Sequence, residues 1–344
     1  DAMRSLRIVL LPFTWLYVGI LSLRHLLFDL GILHSKQADI QTIVVGNLEL
    51  GGTGKSPHSL WVLKQLSSET IAVLSRGHGR KTEGFLSVDV DADADEVGDE
   101  PLMLKQSVPH VKVAVCEDRL DGIKELASEG FKTVVLDDAF QHRSLKAGLN
   151  VLLTPYNLPF WKNHVLPTGT LRDVKSRAKA AHILIISKCP AEISQVEMDA
   201  LRKKASLYTK AKVYFSCMRF GIPQAVFPHT RPWIMGAEVL AVSGLAHNDA
   251  FFEKVDERFQ LRNTLGFSDH HRYTQKDLLL IRQRLSNFVG PLKAVLTTSK
   301  DAAKLGKKDW MELSEGIDLY SLPMEVEIIA DEEELISELK TYVR

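Results

Sequence analysis

The sequence is poor in cysteine, in net charge and in long uncharged runs, and each shortage removes a class of protein. Cys116, Cys189 and Cys217 lie far apart, with no C-x-x-C spacing. Neither a disulfide framework nor a zinc ribbon can be built from them, and a reducing compartment fits. Lys plus Arg number 43 and Asp plus Glu number 43, so the basic excess of a nucleic-acid-binding protein is missing. No nucleic-acid partner is expected, and no obligatory protein partner is evident. There is no internal repeat. The 344 residues leave room for two domains.

The longest uncharged run, Ile8 to Leu23, falls short of the roughly 20 residues that span a bilayer, and Pro12 interrupts it. Arg4 and Arg7 precede it as in a signal peptide, but no small-residue cleavage site follows. On a helix, Arg4, Arg7, Thr14, Ser22, His25 and Asp29 form one narrow polar stripe beside a wide apolar face. Such a helix can lie in a membrane interface or cover a domain; Trp15 and Tyr17 suit the headgroup level and favour the membrane. We therefore expect a membrane-interface helix over residues 3–35, with Asp1-Ala2 ahead of Met3 foreign to the protein.

After Lys36 the pattern alternates. Short β-branched runs at 42–45, 71–74, 111–115, 133–136, 151–153 and 183–186 read as strands, with helical patterns at 56–66, 119–128 and 192–207. This predicts an α/β fold: a mostly parallel sheet with helices on both faces. A second series begins near Val239, with strands at 239–242 and 294–297 and helices at 249–258 and 275–288. The Pro-rich stretch 221–233 separates the two, giving a core domain over 36–220 and a smaller C-terminal α/β domain over 221–344. The acidic segment from Asp89 to Glu100 lacks the glycine of a calcium loop, having Ala94 at its sixth position; its first half reads as a solvated loop.

The first strand runs through Gly46-Asn47-Leu48-Glu49-Leu50 into Gly51-Gly52-Thr53-Gly54-Lys55-Ser56, where a helix starts. Glycines there let backbone N–H groups cradle phosphate oxygens. Lys55 is placed to reach the β- and γ-phosphates of ATP, and Ser56 to offer its hydroxyl to Mg²⁺. Glu49 stands where the common form of this loop has glycine; the doubled Gly51-Gly52 resembles a variant P-loop instead. Pro57 is acceptable in the first helical turn. The apolar run Val134-Val135-Leu136 ending in Asp137-Asp138 supplies the matching carboxylates, with Asp138 the first candidate for Mg²⁺ and Asp137 the second. The P-loop and the interface helix alone also allow a membrane-associated nucleotide switch.

These residues belong to a longer series that resembles the tetraacyldisaccharide 4′-kinase (lipid A 4′-kinase) family. Ser75-Arg76-Gly77-His78-Gly79-Arg80 is similar to that family's S-R-G-Y-G segment, with His78 for Tyr, and Gly98-Asp99-Glu100-Pro101 matches its G-D-E-P. Asp118-Arg119, Asp137-Asp138-Ala139-Phe140-Gln141-His142 and Leu166 to Asp173 follow in order, the last with Asp173 for Glu. Ser243-Gly244-Leu245-Ala246, Ser268-Asp269-His270-His271 and Thr297-Thr298-Ser299-Lys300-Asp301 complete it. The resemblance implies transfer of the ATP γ-phosphate to the 4′-hydroxyl of a tetraacylated disaccharide 1-phosphate, giving lipid IV-A. The acceptor is then a bilayer lipid, met on the cytoplasmic face of a Gram-negative inner membrane.

Asp99, in a polar turn, is the candidate general base for the sugar hydroxyl, and the resemblance pairs it with His270. Without the resemblance His270 would read as a buried structural histidine. A nucleotide switch has no need of such a base. Arg76, Arg119 and Arg172 are candidates for phosphate recognition, since guanidinium groups hold phosphate bidentately; the alternative for each is a surface ion pair. Gln141 and His142, which follow the Mg²⁺ strand, are expected to line the nucleotide side of the pocket, and Glu100 is a further substrate-binding candidate. Ser187-Lys188 and Ser299-Lys300-Asp301 bear a weak likeness to base-reading loops.

Overall fold

Alternating burial along each strand builds the molecule: Ile43 and Val45 of the first central strand enter one hydrophobic core, and Val44 between them enters the other. The structure, a computed structural model, describes residues 2–66, 70–245, 248–269, 271–305 and 317–343. In chain order its first strands are β1 (Lys36–Gln37), β2 (Gln41–Asn47), β3 (Ile71–Ser75), β4 (Leu86–Ser87), β5 (Lys112–Val115) and β6 (Thr133–Asp137). Then come β7 (Leu145–Lys146), β8 (Leu149–Pro155), β9 (Ile183–Ser187), β10 (Lys212–Phe220), β11 (Gln224–Ala225) and β12 (Glu238–Ser243). The last are β13 (Gln260–Gly266), β14 (Lys293–Thr298), β15 (Asp318–Leu322) and β16 (Met324–Ala330).

The main sheet has nine strands in the order β16-β10-β9-β8-β2-β6-β3-β5-β4. Its seven central strands are parallel, and β16 and β4 run antiparallel at the two edges. The helices α1 (Ala2–Asp29), α2 (Lys55–Leu66), α3 (Ala94–Val97), α4 (Asp99–Ser107), α5 (Arg119–Ser128) and α6 (Gln195–Ala205) precede the second sheet. α2 and α4 cover one face of the main sheet through Trp61, Val62, Leu63, Leu102 and Leu104, and α5 and α6 cover the other through Ile123, Leu126 and Met198. This is the expected parallel sheet buried on both faces.

The second sheet has the order β11-β15-β14-β12-β13, with α7 (Asn248–Asp256), α8 (Gln275–Leu285) and α9 (Ser299–Leu305) around it. One departure from the expected division is topological. The chain does not stay in the second unit after residue 221: β16 returns to pair antiparallel with β10, and α10 (Glu332–Tyr342) buries Leu335 and Leu339 in the first core. The unit expected over 221–344 thus gives its last strand and helix to the first sheet, and the chain crosses between the sheets twice. Edge β10 would otherwise expose unpaired backbone groups, which β16 covers.

α1 runs unbroken through Pro12. Pro12 removes one backbone donor and does not end the helix. The helix docks by its polar stripe. The Thr14 hydroxyl donates to Thr168 Oγ1 at 3.1 Å, and the Tyr17 hydroxyl donates to the Arg172 carbonyl at 3.3 Å. His25 Nε2 donates to buried Asp173 at 2.6 Å while its Nδ1 accepts from Arg143 at 3.3 Å, and Arg143 also binds Asp29 at 2.6 Å. That guanidinium holds the Asp29 carboxyl below its usual range. The apolar face points away from the protein: Phe13, Trp15, Leu16, Ile20 and Leu23 are 57–71% exposed.

Candidate active site

β2 ends at Asn47, and the loop 48–54 delivers the chain to the start of α2 at Lys55. Gly52 and Gly54 take φ values of 73° and 86°, which L side chains rarely adopt, and so turn backbone N–H groups inward toward an anion. The loop is braced from several elements. Asn47 Nδ2 donates to Thr53 Oγ1 at 2.9 Å, and the Ser187 hydroxyl at the end of β9 donates to the Thr53 carbonyl at 2.7 Å. His58 is fully buried on α2; its Nδ1 donates to the Gly54 carbonyl at 2.7 Å and its Nε2 accepts from the Ser216 hydroxyl of β10 at 2.9 Å. Burial pushes that imidazole down to about 4, which matches a neutral ring donating on one side and accepting on the other. Glu49 turns inward, accepting from Leu48 N and the Thr154 hydroxyl at 3.2 Å each, and burial pushes its carboxyl up to about 7. It therefore closes the loop against β8 as an internal polar contact.

Beside the loop, β6 ends in the two expected carboxylates. Asp137 is buried and accepts from Ser59 of α2 at 2.7 Å; burial, with the charges of Glu100 and Asp138, pushes it up. Asp138, held at φ 51°, faces the loop, 3.7 Å from Lys55 Nζ. Burial alone would raise it, but the Arg172 hydrogen bonds and the Lys55, Arg172 and Arg119 charges outweigh burial and leave it below its usual range. Lys55 and Arg172 both donate to Asn47 Oδ1, at 3.2 and 2.8 Å, and Arg172 also holds Asp138 bidentately. Arg172, expected to meet substrate, is here a brace between the loop and the acid strand. The oxygen set at this mouth, the Ser56 hydroxyl and the ionised Asp138 with Asp137 behind it, is the hard donor set that suits Mg²⁺.

The turn before Asp99 meets the loop after β3. Gly77 and Gly98 have φ values of 71° and 94°, and a Cβ on Gly98 would lie 3.2 Å from the Gly77 backbone. Only glycine allows that approach, which brings the start of α4, with Asp99 and Glu100, against the loop that follows β3. Asp118 caps α5, accepting from Leu120 N and Asp121 N, and so fixes Arg119 at the first helical position. Arg119 is buried, donates to the Cys116 carbonyl at 2.6 Å, and its Nε has no hydrogen-bond partner among the described residues. Burial lowers its guanidinium, partly offset by the Asp137 and Asp138 charges. Burial, then the charge of Arg119, lowers the His142 imidazole, while Gln141 donates to the Asn47 carbonyl. Lys55, Asp137, Asp138, Arg119, His142, Gln141 and Arg172 are thus one electrostatic cluster at the carboxyl ends of the strands, where open α/β sheets bind their ligands.

The second unit reaches this cluster through α9, which packs along α4. His271 is held in place: its Nε2 donates to Asp277 at 3.1 Å and its ring stacks on Phe267 at 4.4 Å. His270, the expected partner of Asp99, lies outside the described residues. Sequence reading gave no role to Asn47 or His58 and set Ser187 in a base-reading loop, although each braces the phosphate loop; Asn47 carried a signal as the polar residue ending an apolar strand.

A parallel sheet with a glycine loop, Lys-Ser at a helix start and an acid strand beside it defines a P-loop nucleotide-binding protein. Comparison with known proteins then narrows the class. Residues 6–344 match the family described as tetraacyldisaccharide-1-P 4′-kinase, and the chain belongs to that family. The tetraacyldisaccharide 4′-kinase of Bacteroides fragilis is 37% identical, covering 94% of this chain and 90% of its own. That of Flavobacterium psychrophilum is 36% identical, covering 99% and 98%. The solved structure of LpxK from Aquifex aeolicus, in complex with ATP, superposes with a TM-score of 0.78 at 28% identity and covers 98% of this chain.

Proposed function

We propose that the chain transfers the γ-phosphate of ATP to the 4′-hydroxyl of a tetraacylated glucosamine disaccharide 1-phosphate, with Asp99 and His270 as the base. The observation that carries this reading is a braced P-loop with Lys55 and Asp138 at its mouth, with α4 packed on α2 and the charge of its Glu100 acting on the buried Asp137. Lys55 and the loop N–H groups bind the phosphate chain, and Lys55 and Arg119 offset charge on the transferring group. Ser56 and Asp138, with Asp137 behind, would hold Mg²⁺, which when bound would supply positive charge against the phosphate charge. Asp99, assisted by His270, takes the proton as the 4′-oxygen bonds to phosphorus and ADP leaves. Arg76 and Glu100 serve the acceptor side, Gln141 and His142 the nucleotide side, and Arg172, which holds Asp138, offers a guanidinium to phosphate beside it.

The acceptor reaches the site from a membrane. α1 directs its polar stripe at the protein and its apolar face outward, the reverse of a soluble amphipathic helix, and this supports docking on a lipid surface. Apolar side chains of one 28-residue helix then lie in the bilayer while the catalytic domain stays in water. With ATP as donor, that surface is the cytoplasmic face of the inner membrane.

The test is a kinetic cycle. Asp99→Ala and His270→Ala should each lower kcat by about 10²-fold or more with little change in KM for ATP. The double variant should be little worse than the worse single. Fully multiplicative losses would show that the two residues work independently. His271→Ala, which removes a contact to Asp277, should act mainly on stability; a larger catalytic effect there than at His270 would move the site by one residue.

A further inference from the structure

Two lysines on α9, one helical turn apart, face two consecutive acids at the start of α4. Lys304 Nζ is 3.2 Å from Asp99 Oδ2, and Lys300 Nζ is 3.9 Å from Glu100 Oε1. Residues four apart on a helix share a face, so one face of α9 matches adjacent positions of the catalytic turn. Each lysine has a second contact, and both fall on the same short segment. Lys304 donates to the His271 carbonyl at 3.4 Å, and Lys300 lies 3.9 Å from Asp269. The two residues contacted are those on either side of position 270 in the chain.

Lys304 is the more constrained of the pair. It is only 7% exposed, lies 3.2 Å from Asp99, donates to the His271 carbonyl, and forms an ion pair with Asp301 Oδ1 at 3.6 Å. Asp301 is fully buried, and its other oxygen accepts from Gly244 N at 2.9 Å and from Thr298 at 2.8 Å. A buried ammonium is costly unless it is paired and hydrogen-bonded, and these partners supply that. The Thr298-Asp301-Lys304 arrangement therefore links the backbone of the second sheet's strand ends to the catalytic carboxylate of the first unit.

We infer that Lys304, with Lys300 beside it, is a positioning residue that holds Asp99 in register with Asp269 and the His271 carbonyl of the second unit. The inference rests on the reading of Asp99 and His270 as the base. It gives the Thr297 to Asp301 segment and the lysine that follows a role in phosphoryl transfer distinct from nucleotide-base reading.

The experiment uses the full chain in detergent with ATP, Mg²⁺ and tetraacyldisaccharide 1-phosphate. Lys304→Met should lower kcat by about 10- to 100-fold, the scale of a small misplacement of a catalytic group, with KM for ATP unchanged. Lys304→Arg should recover part of the loss. Adding Lys304→Met to Asp99→Asn should cost little more than Asp99→Asn alone. A kcat at or above wild type in Lys304→Met would mean the lysine restrains the base, and a raised KM for ATP with kcat intact would mean it serves the nucleotide; either overturns the inference. If Lys304→Met fails to fold because Asp301 is left unpaired, Lys304→Met with Asp301→Asn removes both charges, and the same kcat loss is expected. Should Asp99→Asn itself retain activity, the base assignment fails; should Asp99→Asn be inactive and Lys304→Met be normal, only the positioning role fails.

Discussion

Replacing Trp15 and Leu16 together by glutamine should release the protein from membranes without unfolding it. Both side chains sit on the outer face of α1, at 71% and 65% exposure. They contribute little to the docked helix, whose contacts run through Thr14, Tyr17, His25 and Asp29. Full burial of a large apolar side chain is worth about 1.5–3 kcal/mol, and about two-thirds of each is available to lipid, so the pair should contribute about 2–4 kcal/mol to membrane partitioning. That corresponds to a loss of roughly 30- to 1000-fold in the partition coefficient. The assay is co-sedimentation with lipid vesicles, with urea unfolding measured alongside. Unfolding free energy should change by no more than about 0.5 kcal/mol, the usual range for surface positions. Lipid phosphorylation should fall while basal ATP hydrolysis stays. If the double variant still sediments like wild type, or if it unfolds much more easily, the outward apolar face covers protein and the membrane reading of α1 is wrong.

Lys55→Ala should abolish transfer to lipid while leaving the unfolding curve close to wild type, since Lys55 contacts only Asn47 and Asp138 among the described residues; retention of more than a small fraction of the rate would mean that the P-loop is misassigned. Glu49→Gln tests the buried carboxyl of the loop. Its folded value, near 7, lies above the ordinary 4.5, so the folded state holds the proton more tightly. Its contribution to stability is present below about pH 4.5 and is lost as pH rises through about 7. Relative to wild type, the Gln variant should therefore gain by about 2–4 kcal/mol between pH 4.5 and pH 8; urea unfolding at the two ends would show a constant difference if Glu49 titrates normally. His25→Leu should cost about 1–3 kcal/mol, because Asp173 keeps only Val174 N and Arg177 as partners while buried; no loss of stability would mean the polar stripe does not hold α1 to the domain.

Much of the first sheet was legible because its strands are fully buried and end in glycine, acid or Ser-Lys, which is where parallel strands deliver chemistry. The strand at 133–136 and the helix at 119–128 were found nearly to the residue, the latter because Asp118 is a capping residue before an apolar pattern. The return of β16 was not legible. As an edge strand it turns Glu325 and Glu327 to solvent, which breaks the apolar run, and its partner β10 lies about a hundred residues earlier. The polar stripe of α1 was visible, but its direction was not, since a stripe that docks and one that meets water look alike in sequence. Motifs placed Asp99, Asp138 and Arg172 together, yet only the geometry separates an ionised Asp138 from a buried Asp137 and puts Arg172 on the acid strand. Lys304 carries no motif of its own; its role arises from α9 packing along α4.

The most direct test of the account is transfer of radiolabelled phosphate. The full-length protein is incubated in detergent with γ-labelled ATP, Mg²⁺ and tetraacyldisaccharide 1-phosphate, and the lipid is extracted and resolved. The account predicts a labelled bisphosphorylated lipid that is lost in the Lys55→Ala and Asp99→Ala variants. Folded wild-type protein that binds ATP but leaves the lipid unlabelled would contradict it.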